Sequence, residues 1–304
     1  MIDTRESITA KLCSFARAYH SNFDREKIFD DYLAYDLMGK EEYEEIGQLI
    51  ENNFELSAFN TNLTFNGALV YPTLNRYITP IPLSRIAFAE KELMRFAKHN
   101  SKCQYVICGA GMDSFVFRNE NPDIQIYELD HPDTQRYKLA RIKELEWHIP
   151  ENARYVPIDF AADDMIEVLE SAGFDKSIPT FFAILGVTYY LTLPVFEQTI
   201  EKISRISENG NRLVFDFPDE TTFDKKGDER IHRLTQITAK LGEPMQHGFT
   251  VKEIHQALSR HKFAVAAHET PKNIQKHFFE NRAEGQTAFE NIHFILAEKK
   301  EIKQ

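Results

Sequence analysis

Between residues 84 and 217, short runs of β-forming apolar residues alternate with longer runs of helical periodicity. Apolar runs that predict strands lie at 104–108, 124–130, 154–158, 180–185 and 212–217. Runs with apolar residues at helical spacing lie between them, at 134–147, 163–173 and 195–207. Because the strands are apolar throughout, the alternation is typical of a parallel sheet covered by helices on both faces. The pattern therefore predicts a doubly wound, mostly parallel α/β fold.

The N-terminal part of the chain has a different character. Residues 1–58 have a helical pattern, whereas residues 59–83 are rich in Asn, Thr and Pro and have no helical period. Because 59–83 also carries apolar residues, we expect a loop that packs on the protein, over a functional site. Ser84 is the expected N-cap of a helix that precedes the first strand.

The C-terminal part predicts two more strands. Residues 218–250, after strand five, form an insertion that we expect to be helical. A helix at 251–261 precedes apolar runs at 262–269 and 291–299, which no crossover helix separates. These runs bring the predicted sheet to seven strands.

The composition argues against several classes of protein. The net charge of −11 disfavours a nucleic-acid partner, which needs a basic surface. The three cysteines lack C-x-x-C spacing and the histidines lack H-E-x-x-H spacing, so we expect reduced thiols and no metal site. The first dozen residues lack the apolar core of a secretory signal, and Pro and Gly interrupt the uncharged stretch 178–196. We therefore expect a cytoplasmic protein with no membrane partner.

A G-x-G turn follows the first predicted strand, at Gly109 and Gly111. Glycines here allow the chain to pass close to a ligand. A nicotinamide dinucleotide fingerprint needs a third glycine at position 114, but this chain has Ser114. Asp113 adds a carboxylate that is unfavourable beside a pyrophosphate and tolerable beside an ammonium or a sulfonium. The turn therefore disfavours a nicotinamide-dependent oxidoreductase.

Acidic residues follow the second and third predicted strands. Asp130 lies 19 residues after Gly111, where a carboxylate can accept hydrogen bonds from both ribose hydroxyls of a nucleoside ligand. The alternative for Asp130 is a helix cap before the segment that Pro132 opens. Asp159 is placed to meet an adenine amino group, and capping is again the alternative.

Three motifs resemble one known family. CGAGMDSFVFR (108–118), YELDHPDTQRYK (127–138) and ILGVTYYLT (184–192) are similar to motifs of the leucine carboxyl methyltransferase family, with a likeness that covers roughly residues 10–300. The resemblance implies a class I methyltransferase fold with a final antiparallel strand. It also implies S-adenosylmethionine as methyl donor and S-adenosylhomocysteine as product.

The resemblance carries donor-binding roles to residues in these motifs. Gly109, Gly111 and Asp113 match the donor-binding turn, and Asp130 matches the acid that binds the donor's ribose. Leu185 lies on strand four at a position that faces the methyl donor in this family. Family members that methylate a phosphatase have glutamate at this position. The departure favours the bacterial polyketide-type branch, which acts on small molecules.

Four further residues are assigned to the donor site by the resemblance. Asp159 and Phe160 match the adenine-side pair. Arg85 resembles the arginine that holds the donor's carboxylate, and Arg17 corresponds to an N-terminal basic residue that shares this task. We place Arg85 at the second position of its helix, where the helix dipole disfavours a cation, with an ion pair to Glu90 as the alternative.

The resemblance implies one domain over 1–304, divided into an N-terminal helical or lid extension (1–83), a donor-binding core (84–217), the insertion (218–250) and a C-terminal part (251–304). The acceptor is predicted to be a carboxylate of a small molecule or peptide, contacted by 59–83 and by the insertion. Arg230, Arg233, Phe223 and Phe249 are the insertion's candidate pocket residues, with surface packing as the alternative.

The acceptor's chemistry decides whether the enzyme needs a general base. A carboxylate with a pKa of about 4 is already the nucleophile at neutral pH, whereas a phenol with a pKa of about 10 needs a base. Tyr190 is the candidate catalytic residue, with His131 and Tyr189 as other candidate bases. Two alternatives stay open: methylation of a hydroxyl or phenol, and a protein that binds S-adenosylmethionine without turnover.

Overall fold

The fold is built on one seven-stranded sheet with the strand order β3-β2-β1-β4-β5-β7-β6. The computed structural model describes residues 7–53, 74–206, 210–224, 228–283 and 285–300. The strands are β1 (Cys103–Cys108), β2 (Ile124–Asp130), β3 (Ala153–Pro157), β4 (Thr180–Ile184), β5 (Arg212–Pro218), β6 (Phe263–Glu269) and β7 (Ile292–Lys299). Strands β1 to β5 pair in parallel, and β7 pairs antiparallel with β5 and β6. The predicted seven-stranded, mostly parallel sheet of the class I methyltransferase fold is confirmed.

Helices surround this sheet. The α-helices of the described residues are α1 (Ile8–Phe23), α2 (Ala34–Met38), α3 (Lys40–Asn53), α4 (Pro80–His99), α5 (Phe115–Arg118), α6 (Pro132–Glu144), α7 (Met165–Ser171), α8 (Leu193–Ile206), α9 (Glu229–Lys240), α10 (Val251–Arg260) and α11 (Pro271–Ile274). Shorter π- or 3₁₀-helical segments are Leu74–Ile78, Thr188–Tyr190, Glu220–Phe223 and Gln275–Phe279. The expected helical insertion after strand five is present as α9.

Aromatic side chains pack the core on both faces of the sheet. The neighbouring residues Phe181 and Phe182 of β4 are both fully buried, since successive strand side chains point to opposite faces. Phe181 packs against Phe96 of α4, with ring centroids 5.7 Å apart. On the other face, Phe196 of α8 lies 5.3 Å from Phe215 of β5. Burial of each such ring contributes about 1.5–3 kcal/mol, so the sheet is held from both sides.

The N-terminal part is less helical than predicted. Within the described part of 1–58, residues 24–33 separate α1 from α2 and form no helix. Residues 54–58 lie outside the described residues, as do 59–73 of the segment expected to be a loop. The remainder of that segment is helical, because Leu74–Ile78 is a π-helical turn and α4 begins at Pro80.

The predicted start of α4 is wrong. Thr79 occupies the N-cap position and Pro80 is the first helical residue, where a missing N–H leaves no intrahelical hydrogen bond unmade. Ser84 is therefore inside the helix, and its hydroxyl donates to the Pro80 carbonyl. Arg85 lies in the second helical turn and not at the second helical position. The predicted unfavourable interaction between its charge and the dipole at the helix start therefore does not arise.

The strand order places the loops that bear the site. β1 lies between β2 and β4, so the connections after β1 and β4 run in opposite directions. Open α/β sheets bind ligands at this point, outside the carboxyl ends of the strands. The uncharged stretch 178–196 divides among β4, a 3₁₀ turn and α8. Among the helices of the described ranges, none has the length and apolar character that a membrane crossing requires.

Candidate active site

A cavity of about 310 Å³ lies at the carboxyl edge of β1, β2 and β4. Side chains from α1, the Leu74–Ile78 turn, α4 and the insertion close it from outside the sheet. Seven of the nine predicted donor-binding residues line it: Arg17, Arg85, Gly109, Gly111, Asp113, Asp130 and Leu185. Tyr190 also lines it, so the structure brings together most of the side chains that the sequence singled out.

The glycine turn needs its first glycine. Gly109 has a φ of +74°, and a Cβ at this position would lie 2.8 Å from Cγ2 of Val187. The backbone N–H groups of Gly109 and Ala110 both donate to the Leu129 carbonyl, at 2.8 and 3.1 Å. The turn is thus fixed against the end of β2 and leaves its outer face to the cavity.

Asp130 is oriented by the same turn. One carboxylate oxygen accepts from the Gly111 N–H at 2.5 Å and the other from the His131 N–H at 2.7 Å. Burial raises the pKa of Asp130, and these two backbone hydrogen bonds oppose the rise. The N-cap of α6 is His131, so Asp130 does not cap that helix. Since each oxygen has a further lone pair, the carboxylate can also accept from a diol.

Arg85 contacts Asp216 and not the predicted alternative partner Glu90. Its Nη1 lies 3.2 Å from Oδ2 of Asp216, a fully buried carboxylate on β5. Burial, the largest single cause, lowers the pKa of the Arg85 guanidinium, but the charge and hydrogen bond of Asp216 together with Cys13 and Tyr189 shift this pKa upward overall. Glu90 instead pairs with Arg118 at 2.6 Å.

The Arg85–Asp216 pair is fixed by the turn after β4. The Gly186 N–H donates to Oδ1 of Asp216 at 2.7 Å, and the Tyr189 hydroxyl donates to Oδ2 at 2.7 Å. Gly186 has a φ of +73°, and a Cβ there would lie 2.6 Å from Nη2 of Arg85. Only glycine lets the guanidinium lie against this backbone.

Arg17 lines the cavity, but its contacts hold the protein together. It donates to the Met112 carbonyl of the glycine turn at 2.8 Å and to Oγ of Ser14 at 2.9 Å. Its other partner is the buried carboxylate of Asp31, which also accepts from Ser114. These bonds favour a role in fixing the turn over direct donor binding. Asp113 also stabilises the turn, since its carboxylate accepts from the Phe115 N–H at 2.7 Å.

Asp159 and Phe160 do not line the cavity. The Asp159 carboxylate accepts from the Ala161 N–H at 2.9 Å within a turn, and the helix that follows is capped by Asp164, so the capping alternative for Asp159 is wrong. Phe160 is 41% exposed. Both follow β3 directly beside Asp130, whose carbonyl accepts from the Ile158 N–H at 2.9 Å. A ligand that reached them would extend from the cavity across the ends of β2 and β3.

Tyr190 joins the cavity to the first turn of α1. Its hydroxyl lies 3.0 Å from Oγ1 of Thr9, which donates to the Glu243 carboxylate. Burial raises the pKa of Tyr190 to about 12, so the phenol keeps its proton at neutral pH. His131 is the candidate base that lies outside the Thr188–Tyr190 turn. It is an exposed helix cap and does not line the cavity.

The insertion contributes apolar residues instead of those predicted. Phe249 is fully buried in the core, and Arg230 donates to the carbonyls of Arg76 and Ala288. Neither they nor Phe223 and Arg233 line the cavity. The insertion residues that do line it are Leu234, Ile237, Thr238 and Met245.

Sequence reasoning missed Asp216. The run RLVFDF at 212–217 contains one charged residue among apolar ones after its first arginine, and a strand buried on both faces cannot leave a carboxylate unpaired. A single charged residue in an apolar strand therefore indicated a buried, paired carboxylate at Asp216. Thr9 and Glu243 gave none, because they lie 234 residues apart and only the fold brings them together.

The chain is similar to known proteins over most of its length. Residues 10–204 match the family model of leucine carboxyl methyltransferase. YktD of Bacillus subtilis (strain 168), assigned as an S-adenosyl-L-methionine-dependent methyltransferase, is 35% identical over 308 residues, with 99% of this chain and 100% of that protein covered. Rv0830 of Mycobacterium tuberculosis (strain ATCC 25618 / H37Rv), with the same assignment, is 31% identical over 148 residues, 48% of each chain.

Solved structures share the fold. A duf574 family protein from Streptomyces avermitilis aligns with a TM-score of 0.57 at 13% identity, over 99% of this chain and 100% of that one. A protein from Thermobifida fusca, assigned as a methyltransferase, aligns with a TM-score of 0.55 at 14% identity, over 98% and 97% of the two chains. The family match spans most of the chain and includes the glycine turn, Asp130 and Tyr190. The chain therefore belongs to the leucine carboxyl methyltransferase family.

Proposed function

We propose that this protein transfers the methyl group of S-adenosylmethionine to a carboxylate of a small molecule or peptide and so forms a methyl ester. Family membership supports methyl transfer from S-adenosylmethionine, since the chain and its relatives are S-adenosylmethionine-dependent methyltransferases. The carboxylate acceptor is supported by the match of 10–204 to the leucine carboxyl methyltransferase model.

The residues present fit the donor. The Gly109 turn and the carboxylate of Asp130 both line the cavity, where Asp130 is placed to accept from the ribose hydroxyls. Nε of Arg85 is buried and has no hydrogen-bond partner within the described residues. A carboxylate at this end of the cavity would satisfy that donor and form a charge-assisted hydrogen bond. Asp159 and Phe160 are proposed as the adenine contacts.

The donor supplies the reactive methyl group and a neutral thioether leaving group. The chain's own residues orient the two reactants and exclude water, which accounts for a large part of the rate in an in-line displacement. A carboxylate acceptor needs no base, and burial raises the pKa of Tyr190 to about 12, which keeps the phenol protonated. We assign Tyr190 to contact the acceptor oxygen.

A second candidate is methylation of a hydroxyl group. Thr9 has one hydroxyl hydrogen and donates it to Glu243, so in this arrangement Tyr190 donates to Thr9. Oη of Tyr190 can then accept a proton from an acceptor hydroxyl while its own proton moves through Thr9 to Glu243. The acceptor oxygen gains the methyl group, the donor sulfur keeps the S–C bonding pair, and the released proton ends on the carboxylate.

Alkali distinguishes the two candidates. The protein is incubated with S-adenosylmethionine labelled in the methyl group and with fractionated metabolite extract, and the labelled products are then treated with base. A methyl ester releases volatile labelled methanol, and a methyl ether does not. Release of label by base supports the carboxylate acceptor. Label that resists base supports methylation of a hydroxyl group instead. Label transfer that Asp130→Ala does not reduce would contradict the donor site.

A further inference from the structure

We infer that the acceptor is a compact monocarboxylic acid whose body is uncharged and apolar, and that this body lies at the end of the cavity away from the glycine turn. The inference rests on the proposed carboxylate methylation and adds the substrate class. It comes from the distribution of charge along the cavity wall.

The charged groups of the cavity lie at the donor end. In the described part of the chain, the charged lining residues are Arg17, Arg85, Asp113 and Asp130. Arg17 and Asp130 contact the glycine turn through Met112 and Gly111. Asp113 belongs to that turn, and Arg85 is held by Asp216 at the end of β5. Each of these groups is thus attached to a loop at the carboxyl edge of the sheet.

The other end is apolar and is built without any strand. Leu12 of α1, Tyr77 and Ile78 of the π-helical turn and Ile237 of α9 form one buried cluster that reaches the cavity. Leu234 and Met245 of the insertion pack partly buried against the adjoining core. The described residues of this wall offer dispersion contacts and apolar surface to a ligand, and none of them is charged.

Charged residues of the insertion and the π-helical turn do not enter this end. The carboxylate of Glu243 accepts from the Ile8 N–H at 2.6 Å and from Ser7 Oγ at 3.1 Å, so its charge serves the start of α1. Arg76 and Arg233 lie over the Tyr77 ring, with Cζ 5.4 and 5.7 Å from its centroid, and neither lines the cavity. A second charge on the acceptor would therefore be buried here without a counter-charge from the described residues.

The size of the cavity limits the acceptor further. Its volume of about 310 Å³ is at the lower limit of ligand pockets, which span about 300–1,000 Å³. Part of this volume is the donor's. The acceptor's reactive oxygen then lies near Tyr190, between the charged and apolar ends, and its body fills the space beside Leu234 and Met245.

Binding of straight-chain acids to the complex with S-adenosylhomocysteine tests the inference. We expect butanoate, hexanoate and octanoate to bind by calorimetry, with affinity rising about fourfold per added methylene until the apolar end is full. Succinate and glutamate, which carry a second charge, should not bind. Octanoate or naphthoate should also yield a labelled methyl ester. Absence of both binding and conversion of the apolar acids overturns the inference.

Paired variants localise the binding. Met245→Gln keeps the side-chain length but adds an amide, and should weaken octanoate binding at least tenfold without changing S-adenosylhomocysteine affinity. Met94→Gln, at an exposed residue of α4, is the matched control and should change neither. Leu234→Gln repeats the test on α9 if Met245→Gln does not fold.

The outcomes separate this inference from the proposed function. Octanoate binding that Met245→Gln abolishes, without ester formation from any acid, would show an apolar site but would contradict both carboxylate methylation and the apolar-acid acceptor. Ester formation from succinate or glutamate and not from octanoate overturns the apolar acceptor and leaves carboxylate methylation standing. Equal loss of octanoate binding in Met245→Gln and Met94→Gln also overturns it, because the bound acid would then lie elsewhere.

Discussion

Arg85 of α4 and Asp216 of β5 form a buried ion pair at the carboxyl edge of the sheet, with Nη1 and Oδ2 3.2 Å apart. The pair joins a helix outside the sheet to a strand inside it, and Gly186 and Tyr189 complete the coordination of the carboxylate. Because Asp216 occupies one edge of the guanidinium, Nε and Nη2 remain for a ligand. Among the described residues, the hydrogen-bond contact of Nη2 is a weak one, to Sγ of Cys13 at 3.6 Å.

Arg85→Lys should weaken S-adenosylmethionine binding about tenfold although the charge is kept. A lysine ammonium is a point charge and cannot reproduce the planar fork that contacts Asp216 and a ligand carboxylate together. Isothermal titration with S-adenosylhomocysteine measures the effect. Arg95→Lys, at an exposed residue of the same helix, is the control and should bind normally. Unchanged affinity in Arg85→Lys would remove Arg85 from the donor site.

Asp216→Asn should lower both stability and donor affinity. The amide keeps the side-chain shape but leaves the buried Arg85 cation without its counter-charge, and loss of one partner of a buried pair destabilises by up to about 3–5 kcal/mol. Urea denaturation measures stability, and titration of the folded variant measures affinity. Asp175→Asn, at an exposed site before β4, is the matched control. A stable Asp216→Asn variant with normal affinity would show that Arg85 needs no orientation.

The sequence predicted the sheet well because each strand is a local apolar run. All seven predicted strands are present with ends within one residue of those observed, as with 124–130, which is β2. The start of α4 was misplaced because Pro80 and Pro82 resemble loop residues, although a first helical turn tolerates proline.

The site was predicted less completely than the fold. Gly109, Asp130 and Tyr190 carry local signals, since they follow predicted strands, and the cavity includes all three. The partners of Arg85 and Tyr190 could not be predicted, because Asp216 and Thr9 approach them only after the helices pack on the sheet. The same holds for the acceptor end, where the predicted Arg230 and Phe249 form structural contacts instead.

Gly109→Ala should reduce stability and donor binding together. The substitution places a Cβ 2.8 Å from Val187 in a backbone conformation with a φ of +74°. Gly173→Ala is the matched control, because Gly173 has a φ of +88° but nothing within 4 Å of the added Cβ. The control should show only the strain, about 1–2 kcal/mol in thermal unfolding. Val187→Ala should restore part of the loss in Gly109→Ala, and absence of this rescue would place the damage elsewhere.

Asp130→Ala should weaken donor binding by about 1–3 kcal/mol, the usual effect of losing hydrogen bonds to a charged group. The variant should stay folded, since Asp130 ends its strand and its carboxylate orients only the Gly111 and His131 N–H groups. Calorimetry with S-adenosylhomocysteine measures the affinity. Asp133→Ala, at a half-buried residue in the first turn of α6 whose carboxylate pairs with Arg136, is the control. A folded Asp130→Ala variant with unchanged affinity would contradict the ribose assignment.

A histidine pair at the β6–β7 edge should make stability depend on pH. Nε2 of His268 lies 2.8 Å from Nδ1 of His293, which is 3.3 Å from Asp219 through its other ring nitrogen. Burial, followed by the charges of His293 and His255, lowers the pKa of His268 to about 4. The unfolded chain binds this proton near its usual pKa of about 6.5. Stability is therefore complete above pH 6.5 and is lost as the pH falls towards 4.

His268→Gln removes this titration and keeps a side chain that can hydrogen-bond to His293. We expect the melting temperature of the wild-type protein to fall more steeply than that of His268→Gln between pH 6.5 and 4. Both proteins share their remaining titrating groups, so the difference between the two curves reports His268 together with its coupling to His293 and His255. His148→Gln, at a histidine between α6 and β3 that is outside this pair, is the control and should follow the wild-type curve. Parallel curves for His268→Gln and wild type would show that His268 is protonated equally in the folded and unfolded chains.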